Sequence, residues 1–187
     1  AAGLGKRMFS HLPKVLQPVG GKPMLEHVVE AARKLPDAGK IIVVVGHGSE
    51  EVKAAMADQP VSFVLQKEQK GTGHAVQQAL EAINPEEPTL ILYGDVPLIS
   101  TETLSALEET ADGGFSLLTI ELDNPKGYGR ILRKEGKVVG IVEEKDASEE
   151  QRAIREVNTG FMVLPSKEMK RWLGSLKNDN KQQEYYL

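Results

Sequence analysis

The start of the chain carries the residues best suited to handling phosphate. Ala1-Ala2-Gly3-Leu4-Gly5-Lys6-Arg7 sets two glycines beside two cations. Glycines let backbone N–H groups come close to phosphate oxygens. Arg7 can fork onto a phosphate, and Lys14 of Leu12-Pro13-Lys14 adds a point charge that the rigid proline helps to aim. Two common templates do not fit. Met8 stands where G-x-G-x-x-G needs its last glycine, and Arg7 where G-x-x-x-x-G-K-[ST] needs a hydroxyl for magnesium. On this segment alone, a tight structural turn is the competing reading.

Three further groups could act with it. Gln66 precedes Gly71-Thr72-Gly73-His74. A Gln amide can pair with a nucleobase edge, the glycines permit close backbone approach, and Thr72 offers a hydroxyl. His74 is either an acid/base group or, more simply, the start of a helix. Tyr93-Gly94-Asp95-Val96-Pro97-Leu98 follows an apolar run. An Asp just past a buried strand stands at the ligand edge of an α/β sheet, and one carboxylate with phosphates is a usual way to hold Mg2+. An Asp in a tight turn is the alternative. Last come Gly127-Tyr128-Gly129-Arg130, Glu143 and Asn158-Thr159-Gly160, a glycine-flanked loop and two polar groups able to meet sugar hydroxyls or an amide. Each of these is ordinary by itself.

These groups need a scaffold, and its elements are readable. Ile41–Gly46 and Thr89–Gly94 are continuous apolar runs expected as buried strands, with Ser62–Gln66, Ser116–Leu122 and Val157–Leu164 as further strands. Helices are expected over Pro23–Leu35, from a Ser49 cap to Ala57, His74–Ile83, Ser100 or Thr101 to Thr110, and Ser166–Leu176. Arg130–Arg133 and Lys137–Val142 flank Lys134-Glu135-Gly136 as a hairpin, Ser148 opens a short helix with Gln151 in the capping-box position, and Asn178–Lys181 is a polar turn. Alternation of strand and helix predicts a three-layer α/β fold on a mostly parallel sheet, with a β-hairpin insertion.

Composition narrows the function. The 187 residues fit one domain with an ordinary core. There is no cysteine, which excludes disulfides, thiolate metal sites and a cysteine nucleophile, and is consistent with a reducing cytoplasm. The net charge of −4 argues against nucleic-acid binding. No apolar run nears the ~20 residues of a membrane span, and no signal segment opens the chain. Yet residues 1–34 hold six basic side chains against two acidic ones. A basic, glycine-rich start on an acidic chain suggests a small polyanionic ligand. The glycine loop lacks the strand that normally precedes it, and Glu184-Tyr185-Tyr186-Leu187 looks like the start of an element, so a fragment shortened at both ends is expected.

Together these motifs resemble the sugar-nucleotidyltransferase family. AAGLGKRM…LPKVL is similar to its phosphate-binding signature and LILYGDVPL to its metal-binding strand end. LQKEQKGTGHAV, YGDVPLIS, GYGRI, GIVEEKDA and EVNTGFM follow in the order of the bacterial N-acetylglucosamine-1-phosphate uridylyltransferase branch. The resemblance spans essentially the whole chain. It implies a Rossmann-like nucleotidyltransferase fold over residues 1–187 and the reaction UTP + N-acetylglucosamine 1-phosphate → UDP-N-acetylglucosamine + diphosphate, with Mg2+, in cytoplasmic cell-wall precursor synthesis. By motif, Ala1, Ala2 and Gly3 match the nucleotide loop, and Arg7 and Lys14 the triphosphate contacts. Gln66, Gly71 and Thr72 match the uracil site. Tyr93, Gly94 and Asp95 match the sugar and metal site, with Asp95 the magnesium ligand. Gly129, Glu143 and Asn158 match the acetamido-sugar contacts. Lys6 departs from the family's usual Thr. The family's second magnesium ligand, an Asn, and its trimer-forming acetyltransferase β-helix would lie past Leu187, so these residues alone are expected to turn over poorly. Another sugar 1-phosphate, or a non-catalytic nucleotide-sugar sensor, are the competing functions.

Overall fold

A computed structural model describes Ala2 and residues 10–187. Ala1, Gly3, Lys6 and Arg7 therefore lie outside the described residues. Among the described residues, no helix is long and apolar enough to cross a membrane.

The first half of the chain builds one small core. A 3-10 turn at Lys14–Leu16 buries Val15 and Leu16 and leaves Lys14 between them and the surface. Pro18–Val19 (β1) and Lys22–Pro23 (β2) form a tight hairpin that sequence reading missed. Its two-residue turn is Gly20-Gly21, with φ of 57° and 87°. Such a turn needs positive φ at both positions, and the Gly-Gly pair was the available signal. Helix α1 (Met24–Arg33) follows, two residues shorter at its C-terminal end than expected, and buries Leu25, Val28 and Val29. Strands β3 (Ile41–Val45) and β4 (Val61–Leu65) pair in parallel. The connection between them is α2 (Ser49–Ala55), whose cap is Gly48 in the left-handed conformation rather than Ser49, which is already helical. Val43 and Val45 of β3 pack with Val15, Leu25, Val29, Val52 and Met56.

The second half is organised by one long strand. After α3 (Thr72–Ala79) come β5 (Pro88–Ile91), α4 (Thr101–Ala111), β6 (Ser116–Glu121), β7 (Arg130–Lys134), β8 (Lys137–Val142), α5 (Glu149–Arg152), β9 (Glu156–Pro165) and α6 (Ser166–Gly174). β9 pairs antiparallel with β5, β6 and β7. Phe161 and Val163 of β9 pack with Leu107 and Ala111 of α4, while Met162 and Leu164 pack with Met169 and Leu173 of α6 and Val76 of α3. That alternation sends successive side chains to opposite faces and makes the three layers.

The α/β class stands, but the sheets are mixed. Among the described strands only β3 and β4 pair in parallel; every other ladder is antiparallel. The physical reason is a skipped position. The β5–α4–β6 crossover leaves those two strands running the same way with a gap between them, and the β7–β8 hairpin reverses the chain so that β9 fills the gap from the opposite direction. The Ser148–Gln151 capping box is present as expected.

Candidate functional site

The chemistry-bearing residues collect where the strands end. β5 stops at Ile91, so Tyr93, Gly94 and Asp95 occupy the loop beyond it, not the strand itself. Asp95 meets Lys14 in an ion pair, side chain to side chain, with the two groups 28% and 37% exposed. Val15 and Leu16 in the core hold the turn that presents Lys14. Both side chains of the pair keep part of their surface accessible. Ala2 lies against Gly46 at the end of β3, where a Cβ on Gly46 would come 2.9 Å from the Ala2 carbonyl. The described part of the opening segment therefore meets the C-terminal end of β3.

Tyr93 links the remaining groups. Its ring packs edge-on against Phe161, with centroids 6.0 Å apart. A Cβ on Gly160 would lie 2.7 Å from Tyr93 Cζ and 2.8 Å from its hydroxyl, so glycine is what lets the ring lie against β9. Burial raises the phenol's pKa most; Thr72 beside it pulls the other way, and the charges of Glu143 and Asp95 add to the rise. Tyr93 thus stays a neutral hydroxyl within the fields of both carboxylates.

The sugar-type residues are adjacent to one another. Asn158 N–H donates to the Gly129 carbonyl at 2.9 Å, and Asn158 Oδ1 accepts from Gly160 N–H at 2.8 Å. A Cβ on Gly129 would stand 2.9 Å from Glu143 Oε1, so this glycine admits the carboxylate against the backbone. Burial pushes the Glu143 carboxyl above its ordinary value; Asp146 and Glu184 push the same way and Arg130 opposes them.

Gln66 is 2% exposed and sits at the end of β4. Its Nε2 donates to the Gly71 carbonyl at 3.2 Å and faces His74 Nδ1 at 2.9 Å. Gly71, at φ 102°, caps α3. His74 is the third residue of that helix, so the helix begins two residues earlier than sequence reading placed it.

Two contributors were not anticipated. Arg130, 1% exposed, donates through Nη2 to Glu144 at 2.8 Å, through Nη1 to the Tyr128 carbonyl and through Nε to the Arg152 carbonyl at 3.3 Å. Glu144 also accepts from Gly127 N–H at 2.7 Å, and these bonds hold its carboxyl below the ordinary value. The Gly127–Gly129 loop is therefore pinned from inside by a guanidinium; an Arg directly after a glycine-rich loop was the faint signal. The second is the segment Glu184–Leu187. Tyr185 N–H donates to Lys70 O and Tyr185 O accepts from Gly73 N–H, both at 2.8 Å, while Leu187 N–H reaches Thr72 Oγ1 at 3.2 Å. It adds neither helix nor strand and lies across the glycine loop.

Among the described residues, no three His, Asp or Glu groups gather to cage a metal. A lone carboxylate can hold Mg2+ when phosphates and water complete its shell, and the partly exposed Asp95 has the chemistry to serve in that way.

The turn at Lys14 paired with Asp95 beyond β5, and the Gly129, Glu143 and Asn158 cluster, stand on an α/β fold of the nucleotidyltransferase class. The family model described as the MobA-like NTP transferase domain matches residues 1–155, and the chain belongs to that family. Among its relatives is the bifunctional protein GlmU of Cupriavidus pinatubonensis, 56% identical over all of this chain and 41% of its own length. GlmU of Burkholderia orbicola is likewise 56% identical, over 42% of its length. The chain thus spans about two fifths of the length of these curated relatives. A UDP-glucose pyrophosphorylase complexed with UDP-glucose shares the fold at a TM-score of 0.73 and 21% identity, over 100% of this chain and 81% of that one. A CMP:2-keto-3-deoxy-manno-octonic acid synthetase complexed with CTP shares it at 0.69 and 15%, over 93% and 76%.

Proposed function

We propose that this chain transfers UMP from UTP to N-acetylglucosamine 1-phosphate, giving UDP-N-acetylglucosamine and diphosphate. The observation that carries the proposal is Tyr93, which stands against Thr72 of the glycine loop and Gly160 beside Asn158, within the fields of Asp95 and Glu143. Its nearness to all of these groups supports reading them as the base, metal and sugar contacts of one site.

In the proposed reaction a phosphate oxygen of the sugar phosphate attacks the α-phosphorus of UTP. The bond to the β-phosphate bridging oxygen breaks in line, and diphosphate leaves. The nucleophile is already ionised, so no general base is required. The reactants bring about six negative charges together, judged from phosphate pKa behaviour. Positioning and charge neutralisation then carry the rate. Lys14 has three donors and can leave Asp95 for the leaving phosphates. Arg7 shares that task on the strength of the motif. The neutral Tyr93 hydroxyl and the Gly94 backbone line the sugar phosphate. Asn158, Glu143 and Gly129 meet the acetamido sugar, and Gln66, Gly71 and Thr72 meet uracil. Ala1, Ala2 and Gly3 approach the nucleotide through their backbone. Asp95 would hold Mg2+, which when bound supplies neutralisation of the phosphates' charge. The same reading assigns the reaction to the cytoplasm and a homotrimer to the acetyltransferase portion that the resemblance implies.

The test is a matrix of nucleotides and sugar 1-phosphates with Mg2+, read by diphosphate release and by binding to the chain. Selective response to UTP with N-acetylglucosamine 1-phosphate is the expected outcome. Equal response to glucose 1-phosphate, or binding of UDP-N-acetylglucosamine with no diphosphate release at any enzyme concentration, would overturn it.

A further inference from the structure

The contact between Gln66 and His74 has a consequence for which base the site accepts. Gln66 is almost fully buried, so the orientation of its amide is set by protein neighbours and not by water. The group facing the Gly71 carbonyl at 3.2 Å must be the amide nitrogen, because a carbonyl can only accept. The same nitrogen faces His74 Nδ1 at 2.9 Å. Nδ1 is therefore the accepting nitrogen of a neutral imidazole, and the ring proton resides on Nε2. Gln78 lies 3.3 Å from that Nε2. Both ring nitrogens of a neutral imidazole cannot accept, so the more exposed Gln78 must turn its amide oxygen toward the ring. The Tyr185 ring, 6.3 Å from the imidazole and tilted 30°, covers it.

Both Nε2 hydrogens of Gln66 are thus used inside the protein. With Nε2 engaged by Gly71 and His74, Oε1 is the one group of this amide left to offer a ligand, an acceptor. Uracil and thymine carry N3–H, a donor. Cytosine has a lone pair at N3, and two acceptors face to face repel.

We infer that His74 is a positioning residue for base selection: it locks the Gln66 amide with its oxygen outward, and so admits pyrimidines bearing N3–H and rejects cytosine. This rests on the proposed nucleotide site at Gln66. Without an acceptor at position 74 the amide loses one of the two bonds that hold its orientation. Turning its NH2 toward cytosine is then opposed by the Gly71 carbonyl alone, so the selection against cytosine weakens.

The test measures dissociation constants of UTP, CTP and N3-methyl-UTP for three proteins. In the unaltered chain UTP binds tightest, and N3-methylation weakens it at least ~10-fold, the scale of one buried acceptor left unpaired. His74→Leu, of similar bulk but with no acceptor, lowers the UTP-to-CTP preference by roughly 10-fold or more. His74→Asn, whose Oδ1 falls near the Nδ1 position, restores the preference to within about threefold of the unaltered chain. A purely structural role would weaken UTP and CTP equally in His74→Leu and leave the preference unchanged, which overturns the inference. Equal binding of UTP and N3-methyl-UTP overturns it without any variant, whether or not His74→Leu folds. If the unaltered chain binds none of the three nucleotides, the nucleotide-site reading itself falls, a result distinct from the other two.

Discussion

Gly160→Ala tests how the site is assembled. Gly160 sits at φ 81°, where an L side chain is strained, and an added Cβ would lie 2.7 Å from Tyr93 Cζ and 2.8 Å from its hydroxyl. Two costs follow. The backbone cost of a Cβ in the left-handed region is about 1–2 kcal/mol. Overlap with a packed ring adds about 1–3 kcal/mol, because the ring lies against Gly160 and edge-on to Phe161, both on β9. Gly136→Ala separates the two costs. Gly136 turns the β7–β8 hairpin at φ 78° with nothing within 4 Å of its would-be Cβ, so it carries the backbone cost alone. At roughly 2–4 °C per kcal/mol for a chain of this size, Gly136→Ala should lower Tm by roughly 2–8 °C and Gly160→Ala by roughly 4–20 °C. Displacing Tyr93 also disturbs its neighbour Thr72, so Gly160→Ala should weaken UDP-N-acetylglucosamine about 10-fold, while Gly136→Ala, remote from the site, leaves binding unchanged. Scanning calorimetry and a binding titration provide both readouts. Equal loss of Tm in the two variants, with binding intact in both, would refute the packing of Tyr93 against Gly160 as the feature that organises the site.

Other outcomes follow from the same geometry. Lys14→Ala and Asp95→Asn should each change stability by no more than about 1 kcal/mol, since their ion pair is solvent-accessible, yet lower diphosphate release about 10²-fold or more. Asp95→Asn should also flatten the magnesium titration, and an unaltered titration would remove Asp95 as the ligand. For Glu143, whose carboxyl is raised above 4.5 chiefly by burial, the folded protein disfavours the charge. That penalty is absent below the ordinary carboxylate range and full once pH exceeds the raised value. Glu143→Gln should therefore raise Tm near pH 8, gain nothing near pH 4, and weaken sugar-phosphate binding; a pH-independent change in Tm would contradict the burial argument. Arg130→Lys keeps the charge but cannot reach Glu144, Tyr128 and Arg152 together, so KM for the sugar phosphate should rise with KM for UTP unmoved. Equal rises in both would show that the change is not confined to the sugar loop.

What could be read directly were features whose causes are local. The apolar runs of β3 and β5, the Ser148–Gln151 capping box and the β7–β8 hairpin each depend on residues within a few positions of one another. The Gly20-Gly21 hairpin was equally local and was missed because two two-residue strands present no alternation to notice. The motif residues could be named from the sequence because glycines, a lysine and an aspartate recur there in short local patterns. Tertiary structure decided the rest. The direction of β9 is set by which gap remains in the sheet after β5 and β6 have docked, and no window of sequence contains that gap. Lys14 and Asp95 are 81 positions apart, and their pairing depends on two separate cores bringing two loops to one edge. The partners of Arg130 and the contact between Glu184–Leu187 and the glycine loop are likewise long-range. The sequence by itself determined which chemistry was on offer and roughly which segments would be helix or strand. The tertiary structure decided which of those groups meet and which atoms they leave free, because hydrogen-bond and charge complementarity act through space between segments that local patterns treat as independent.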